Sequence, residues 1–264
     1  MFEPLLLSHH QGVATVTLNR PELRNAFNDA LIAQLTQAFI QLGADDTVRC
    51  IVLAAQGKAF CAGADLNWMR AMADYTHAQN VADAQGLADM LHTIYACPKP
   101  TIARVQGDAF AGGMGLIAAC DVAVAVNTAR FCLSEVKLGL IPGTIAPYIT
   151  RAIGARATHR YALTAEIFDA ATAQAIGLLH ETAADETALD AQVAAWCALF
   201  NAASPNALAD CKRLINEVSY TNNTPALRAT TAQYIAYSRA SDDGKAGVQA
   251  FLNKRAPPWA QIKP

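Results

Sequence analysis

Twice along this chain a short apolar run opens into a loop of glycine and other small residues before helically spaced positions begin. Residues 50–54, Cys-Ile-Val-Leu-Ala, are uninterrupted by any polar side chain. That is the mark of a strand buried on both faces. The loop behind it carries Gly57 and Gly63. Residues 101–105 read as a second strand, followed by Gly107 and the Gly112-Gly113 pair, an apolar helix near 113–120, and another buried strand over 121–126. Upstream, residues 13–18 put Ala14, Val16 and Leu18 on one face and Val13, Thr15 and Thr17 on the other, the alternation of a half-buried strand. From Asn28, a residue able to accept from the free amides of a first helical turn, Leu31, Leu35, Phe39 and Leu42 recur at helical spacing, and Gly43 is expected to close that helix. Leu87, Met90, Leu91 and Ile94 define a second helix over 81–95 that stops before Pro98-Lys99-Pro100. Strands and helices alternate, so the class is α/β. After residue 200 no strand pattern remains, and 207–218, 226–239 and 243–254 read as helices ending at Pro257-Pro258.

Composition narrows the function classes. Of 264 residues 53% are hydrophobic and 16% charged, a balance that suits a globular enzyme with further surface to bury in an oligomer. A net charge of -2 supplies no positive field for nucleic acid. The start, Met1-Phe2-Glu3-Pro4, is not basic, so no export signal is expected, and the most apolar stretch, 116–126, is short and broken by Asp121, so no membrane partner is expected either. Seven scattered cysteines form no Cys-x-x-Cys pair, which points to thiols in a reducing cytoplasm. The six histidines lack metal-ligand spacing.

Gly113-Met-Gly115-Leu-Ile-Ala118 fits the dinucleotide fingerprint, with Glu135 twenty positions beyond Gly115. A Rossmann turn needs the strand to run straight into the glycines, and residues 106–111 intervene. No phosphate-binding G-x-x-x-x-G-K-[ST] and no G-x-S-x-G occurs. The two small-residue loops, 60–66 and 107–115, admit two readings: backbone N–H groups converging on one oxygen, with a helix N-terminus behind them, or glycines that serve tight turns only.

The stretches Asn19-Arg-Pro21 with Asn25-Ala26, Ala59-Phe-Cys-Ala-Gly-Ala-Asp-Leu66, Pro98-Lys-Pro-Thr-Ile102, Gly112-Gly113, Cys120-Asp121 and Leu133-Ser-Glu-Val-Lys-Leu-Gly-Leu-Ile-Pro-Gly143 resemble, in the same order, the crotonase (enoyl-CoA hydratase/isomerase) superfamily. Ala162-Leu-Thr164, Ala175-Ile-Gly177 and Ala250-Phe-Leu-Asn-Lys-Arg255 extend the likeness nearly end to end. The resemblance implies a ClpP/crotonase-like spiral of repeated β-β-α units over 1–200 and a helical C-terminal region over 201–264 that assembles a homotrimer or a dimer of trimers. It implies an acyl-CoA substrate, no metal or redox cofactor, and oxyanion donors at the backbone amides of Ala64 and Gly112.

Hydratases of this superfamily typically use two glutamates around a water. Here the second is Glu135, while the first position is Gly115. A lone carboxylate in an apolar pocket has a raised pKa and can take a proton from water and return it to carbon. The same group could shuttle a proton between the α and γ carbons as an isomerase, or the chain could be an acyl-CoA-binding homologue that has lost catalysis. Gly115 together with the stretch from Ser134-Glu135 to Thr144-Ile-Ala-Pro-Tyr148 resembles bacterial methylglutaconyl-CoA and isohexenylglutaconyl-CoA hydratases, implying a branched or carboxylated enoyl group such as methylglutaconyl-CoA. The resemblance assigns CoA and substrate contacts to Arg24, Ala62, Asp65, Leu66, Gly113 and Gly115, and to Phe251 and Lys254 from a neighbouring subunit. A cation that the superfamily carries soon after the Ala-Asp pair is Asn67 here. Trp68, Met69, Met72 and Tyr148 are candidates for the acyl pocket.

Overall fold

The computed structural model of the chain describes residues 3–260. β1 (Leu5–His10) and β2 (Val13–Leu18) form an antiparallel hairpin across Gln11 and Gly12, whose φ values of 49° and 79° give the turn a twist that matches the flanking strands. β1 lacks a clear sequence signature because it is an edge strand, mostly exposed. β2 shows its alternation directly, with Ala14, Val16 and Leu18 wholly buried.

The chain continues through α1 (Asp29–Ala44), β3 (Cys50–Ala55), β4 (Ala59–Cys61), α2 (Leu66–Met72) and α3 (His77–Ala96), then β5 (Thr101–Val105), β6 (Asp108–Phe110) and α4 (Gly112–Ala119). β7 (Val122–Val126) and β8 (Arg130–Cys132) lead by a 3-10 turn into α5 (Ala146–Thr164), β9 (Phe168–Asp169), α6 (Ala170–Ala175) and β10 (Glu181–Ala183). α7 (Glu186–Ala202), α8 (Pro205–Val218), α9 (Pro225–Ala240) and α10 (Asp242–Leu252) complete the order.

Asn28 caps α1 as its residue type predicts, accepting from the Leu31 amide at 3.0 Å. Gly43 does not end this helix, which runs one residue further. Gly43 lies instead on the inner face, where a Cβ would stand 3.3 Å from Pro98 Cδ. Leu31, Leu35 and Phe39 project from the same face into the core. Each such burial is worth ~1.5–3 kcal/mol.

Six strands in the order β1-β2-β3-β5-β7-β10 make the large sheet, parallel from β2 onward. A smaller sheet has the order β4-β6-β8-β9 and is parallel over its first three strands. Each turn of the chain therefore gives one strand to the large sheet and the next to the small one: β3 then β4, β5 then β6, β7 then β8. This is a spiral of β-β-α units. Since β4, β6 and β8 are adjacent and parallel, the segments leaving their carboxyl ends emerge along one edge, about 5 Å apart per strand. Those exits are residues 62–65, 111–112 and 133–135.

Candidate active site

The first exit is clamped by the segment before α1. Phe27 N–H donates to Gly63 O at 2.9 Å, Asp65 N–H donates to Phe27 O at 2.9 Å, and Ala62 N–H donates to Arg24 O at 3.0 Å. Phe27 and Ala64 are thereby paired as in a parallel ladder. The Ala64 amide, flanked by these bonds, donates to no acceptor among the described residues. Ala64 itself is half-buried.

Below it, Asp65 accepts from Asn67 N–H at 2.8 Å as the cap of α2 and pairs with Arg20 Nη2 at 2.6 Å. Partial burial opposes ionisation of the Asp65 carboxyl, but the Asn67 amide and the Arg20 guanidinium together hold it below the usual carboxylate range. Arg20 also donates to Ala26 O at 2.6 Å. Wholly buried Asn25 ties the same segment to the strand ends, accepting from Arg20 N–H and donating to Gln56 O and Ala59 O.

The second exit turns sharply. Ala111 sits at φ 48° and ψ -121°, a conformation that costs an alanine ~1–3 kcal/mol, and its N–H donates to Cys132 O at 2.8 Å, tying the second exit to the third. Strain of this kind concentrates where a backbone group is held for use. Gly112 follows as the first residue of α4, so its N–H has no partner within the helix, and none is found elsewhere among the described residues. The two exits touch: a Cβ built on Gly63 would lie 3.1 Å from Ala111 Cβ and 3.7 Å from Gly112 N.

The third exit carries Glu135, the first residue of a 3-10 turn. Its side chain is half-buried, and Oε2 is fully covered with no hydrogen-bond partner among the described residues. Burial pushes the Glu135 carboxyl above its ordinary pKa, only partly opposed by a bond from its own backbone N–H. An unpaired oxygen in a covered position is what a carboxyl that exchanges protons with a ligand requires, and it is costly for a purely structural one.

At Gly115 there is no room for a second acid. A Cβ there would collide with Ile145 Cγ2, lie 2.9 Å from Ile145 Cβ and 3.6 Å from Leu91 Cδ2. Gly113 is likewise buried, facing Cys61. Gly115 and Gly113 thus have no side-chain route to a ligand.

The remaining candidates are dispersed. Arg24 is exposed in the left-handed region (φ 52°), beside the half-buried Ala62 to which it is bonded. Leu66 is exposed at the start of α2, while the Asp65 carboxylate is committed to Arg20 and the Asn67 amide, and the Asp65 N–H to Phe27 O. Phe251 is 82% exposed on α10, with Lys254 just beyond, and α10 packs against α8 and α9. Trp68 is buried edge-on against Phe27 and donates to Asp83. Tyr148 packs edge-on against Tyr95. A cavity of ≈ 1090 Å³ lined by β1, β2, β3, β5 and α7 contains none of the candidate residues. Arg20, Phe27 and Ile145 escape sequence reading: each acts on a partner 30 or more positions away. The Asn-Arg-Pro motif was a signal for Arg20, and the bulky residue after Thr144 was one for Ile145.

Among the described residues no three His, Cys, Asp or Glu side chains are grouped so as to hold a metal ion, and no helix is long and apolar enough to cross a membrane. The family model described as enoyl-CoA hydratase/isomerase matches residues 8–262. The chain is 37% identical over 221 residues to the enoyl-CoA hydratase ACTT6 of Alternaria alternata, spanning 78% of this chain and 72% of that one. It is 34% identical to the 1,2-epoxyphenylacetyl-CoA isomerase of Escherichia coli, over 96% of this chain and 97% of that one. The crystal structure of an enoyl-CoA hydratase from Shewanella pealeana superposes with a TM-score of 0.95 at 41% identity, covering 97% of this chain and 96% of that one.

Proposed function

Because the chain belongs to the enoyl-CoA hydratase/isomerase family and has that family's crotonase fold, we propose that it is a hydro-lyase adding water across the α,β double bond of an enoyl-CoA. The observation that carries this reading is the grouping on one sheet edge of two unpaired backbone amides and one covered carboxyl. In the proposed reaction the thioester oxygen accepts from Ala64 N–H and Gly112 N–H. Ionised Glu135 takes a proton from water as its oxygen bonds to the β-carbon, and the π electrons move onto the thioester as an enolate. Glu135 then gives the proton to the α-carbon, the enolate collapses, and the carboxylate is restored. Each backbone donor contributes about 3 kcal/mol when aimed at the developing charge. No metal or redox cofactor takes part in these steps.

Gly115, filled by Ile145, supports a one-carboxylate mechanism. With residues 144–148 it supports a branched, carboxylated acyl group of the methylglutaconyl type as the substrate. For CoA, the proposed contacts are Arg24, the backbones of Ala62, Asp65 and Gly113, and Leu66 from one subunit, with Phe251 and Lys254 from its neighbour. A trimer or dimer of trimers is proposed on the same ground. Seven free thiols support a cytoplasmic location.

One carboxylate also suits allylic isomerisation, and one of the relatives is named an isomerase. Turnover of enoyl-CoA thioesters, a methylglutaconyl one included, in ¹⁸O-labelled water separates the two: hydration places label in the product, and double-bond migration does not. Glu135→Gln is expected to lower kcat by roughly 10²–10⁴-fold with CoA affinity retained. Full turnover by this variant would overturn the role given to Glu135.

A further inference from the structure

The two candidate donor amides lie in different turns of the spiral, and one residue outside both touches each of them. Phe27 pairs through its backbone with the residues on either side of Ala64, by the bonds to Gly63 O and from Asp65 N–H. Its fully buried ring lies against Gly112, where a Cβ would collide with Cζ and lie 3.0 Å from Cε1. Gly112 is a helical residue with no left-handed backbone, so space and not φ demands glycine there. The ring is held in turn by Trp68, edge-on with centroids 6.3 Å apart, and Trp68 is anchored by its bond to Asp83 at 3.0 Å.

We propose that Phe27 is the positioning residue that sets the separation of the Ala64 and Gly112 amides, its main chain fixing one and its ring fixing the other. This rests on the reading of those amides as the oxyanion donors. A smaller side chain lets Gly112 settle toward the vacated space, and the amides no longer converge on one oxygen. Displacements on the order of 1 Å cost a reaction about 10²-fold while leaving binding of the remainder of the substrate intact.

The test measures steady-state kinetics of Phe27→Leu. It also measures the infrared carbonyl stretch of ¹³C-labelled but-2-enoyl-CoA bound to Glu135→Gln, with and without Phe27→Leu. Expected are a kcat lower by about 10²-fold, a KM within about twofold, and partial loss of the carbonyl downshift. A companion pair is Gly112→Ala and Phe27→Leu/Gly112→Ala. The double variant is expected to recover turnover relative to Gly112→Ala, because the shortened side chain makes room for the methyl. Should Phe27→Leu not fold, Phe27→Met carries the same measurements. Unchanged kcat and an undiminished downshift in the Phe27 variant overturn the proposal. Absence of any downshift with Phe27 present instead sinks the oxyanion reading beneath it.

Discussion

Glu135 and Asp65 are both carboxylates at the edge of the small sheet, and their surroundings drive them in opposite directions. Asp65 has a guanidinium and an N-cap amide and stays ionised, whereas Glu135 has a covered oxygen with no donor and is pushed up. Two consequences follow for pH. Activity that needs ionised Glu135 is expected to rise through a pKa above the ordinary carboxylate range, which a kcat/KM profile measures. Stability moves the other way: the folded protein holds the Glu135 proton more tightly than the unfolded chain. Folding is thus penalised as pH rises from the ordinary glutamate range through the raised folded value. Glu135→Gln removes that penalty, so its thermal midpoint is expected to decline less than wild type over that window, as calorimetry at several pH values would register. A steeper decline in the variant contradicts the assigned direction.

At the scale of elements, α4 and the start of α5 meet through Gly115 on α4 and Ile145, the residue that caps α5. Ile145 is 2% exposed and occupies the volume that any residue larger than glycine at 115 would need. Gly115→Ala is therefore expected to destabilise by about 1–3 kcal/mol through overpacking. Ile145→Ala leaves a cavity and is also costly, but the combination is expected to be markedly less destabilising than the sum of the two, with a coupling of about 0.5–3 kcal/mol in denaturant titrations. Simple additivity would mean that the two side chains do not share the space. The sequence named Gly115 as a departure from a two-glutamate pattern and marked the stretch after Thr144 as a variant, yet that Ile145 of that stretch fills the place was decided by packing. The helix pattern of residues 113–120 is apolar all round, so it carries no information on which neighbour faces which position.

Over the whole molecule, the C-terminal helices are the part that a single chain does not satisfy. α8, α9 and α10 contain no buried residue, while Ile215, Ile235, Tyr237, Val248, Phe251 and Leu252 are exposed. Polar ties hold α8 to the core: Lys212 to Asp121 at 2.8 Å and Tyr95 Oη to Asn216 at 2.6 Å. Beside Glu135, Leu138, Leu140 and Ile141 are also exposed. Apolar surface of this extent is what association buries. Sedimentation is expected to give a trimer or a multiple of it, and Val248→Asp/Phe251→Asp to shift the distribution toward smaller species with weaker CoA binding. A wild-type monomer at micromolar concentration would exclude the shared site.

Short-range pattern alone determined the α/β class, the strands read at 13–18, 50–54, 101–105 and 121–126, and the two glycine loops, because burial on one or both faces of a strand leaves a mark on consecutive residues. The short strands of the small sheet left no such mark: three residues are too few for a period. Tertiary structure alone decided that β4, β6 and β8 stand side by side, and hence that residues 64, 112 and 135 share one edge. It alone decided the partners of Arg20, Phe27 and Ile145. These depend on the register of a spiral whose successive turns lie tens of residues apart, and packing over such distances is written in no local stretch of chain.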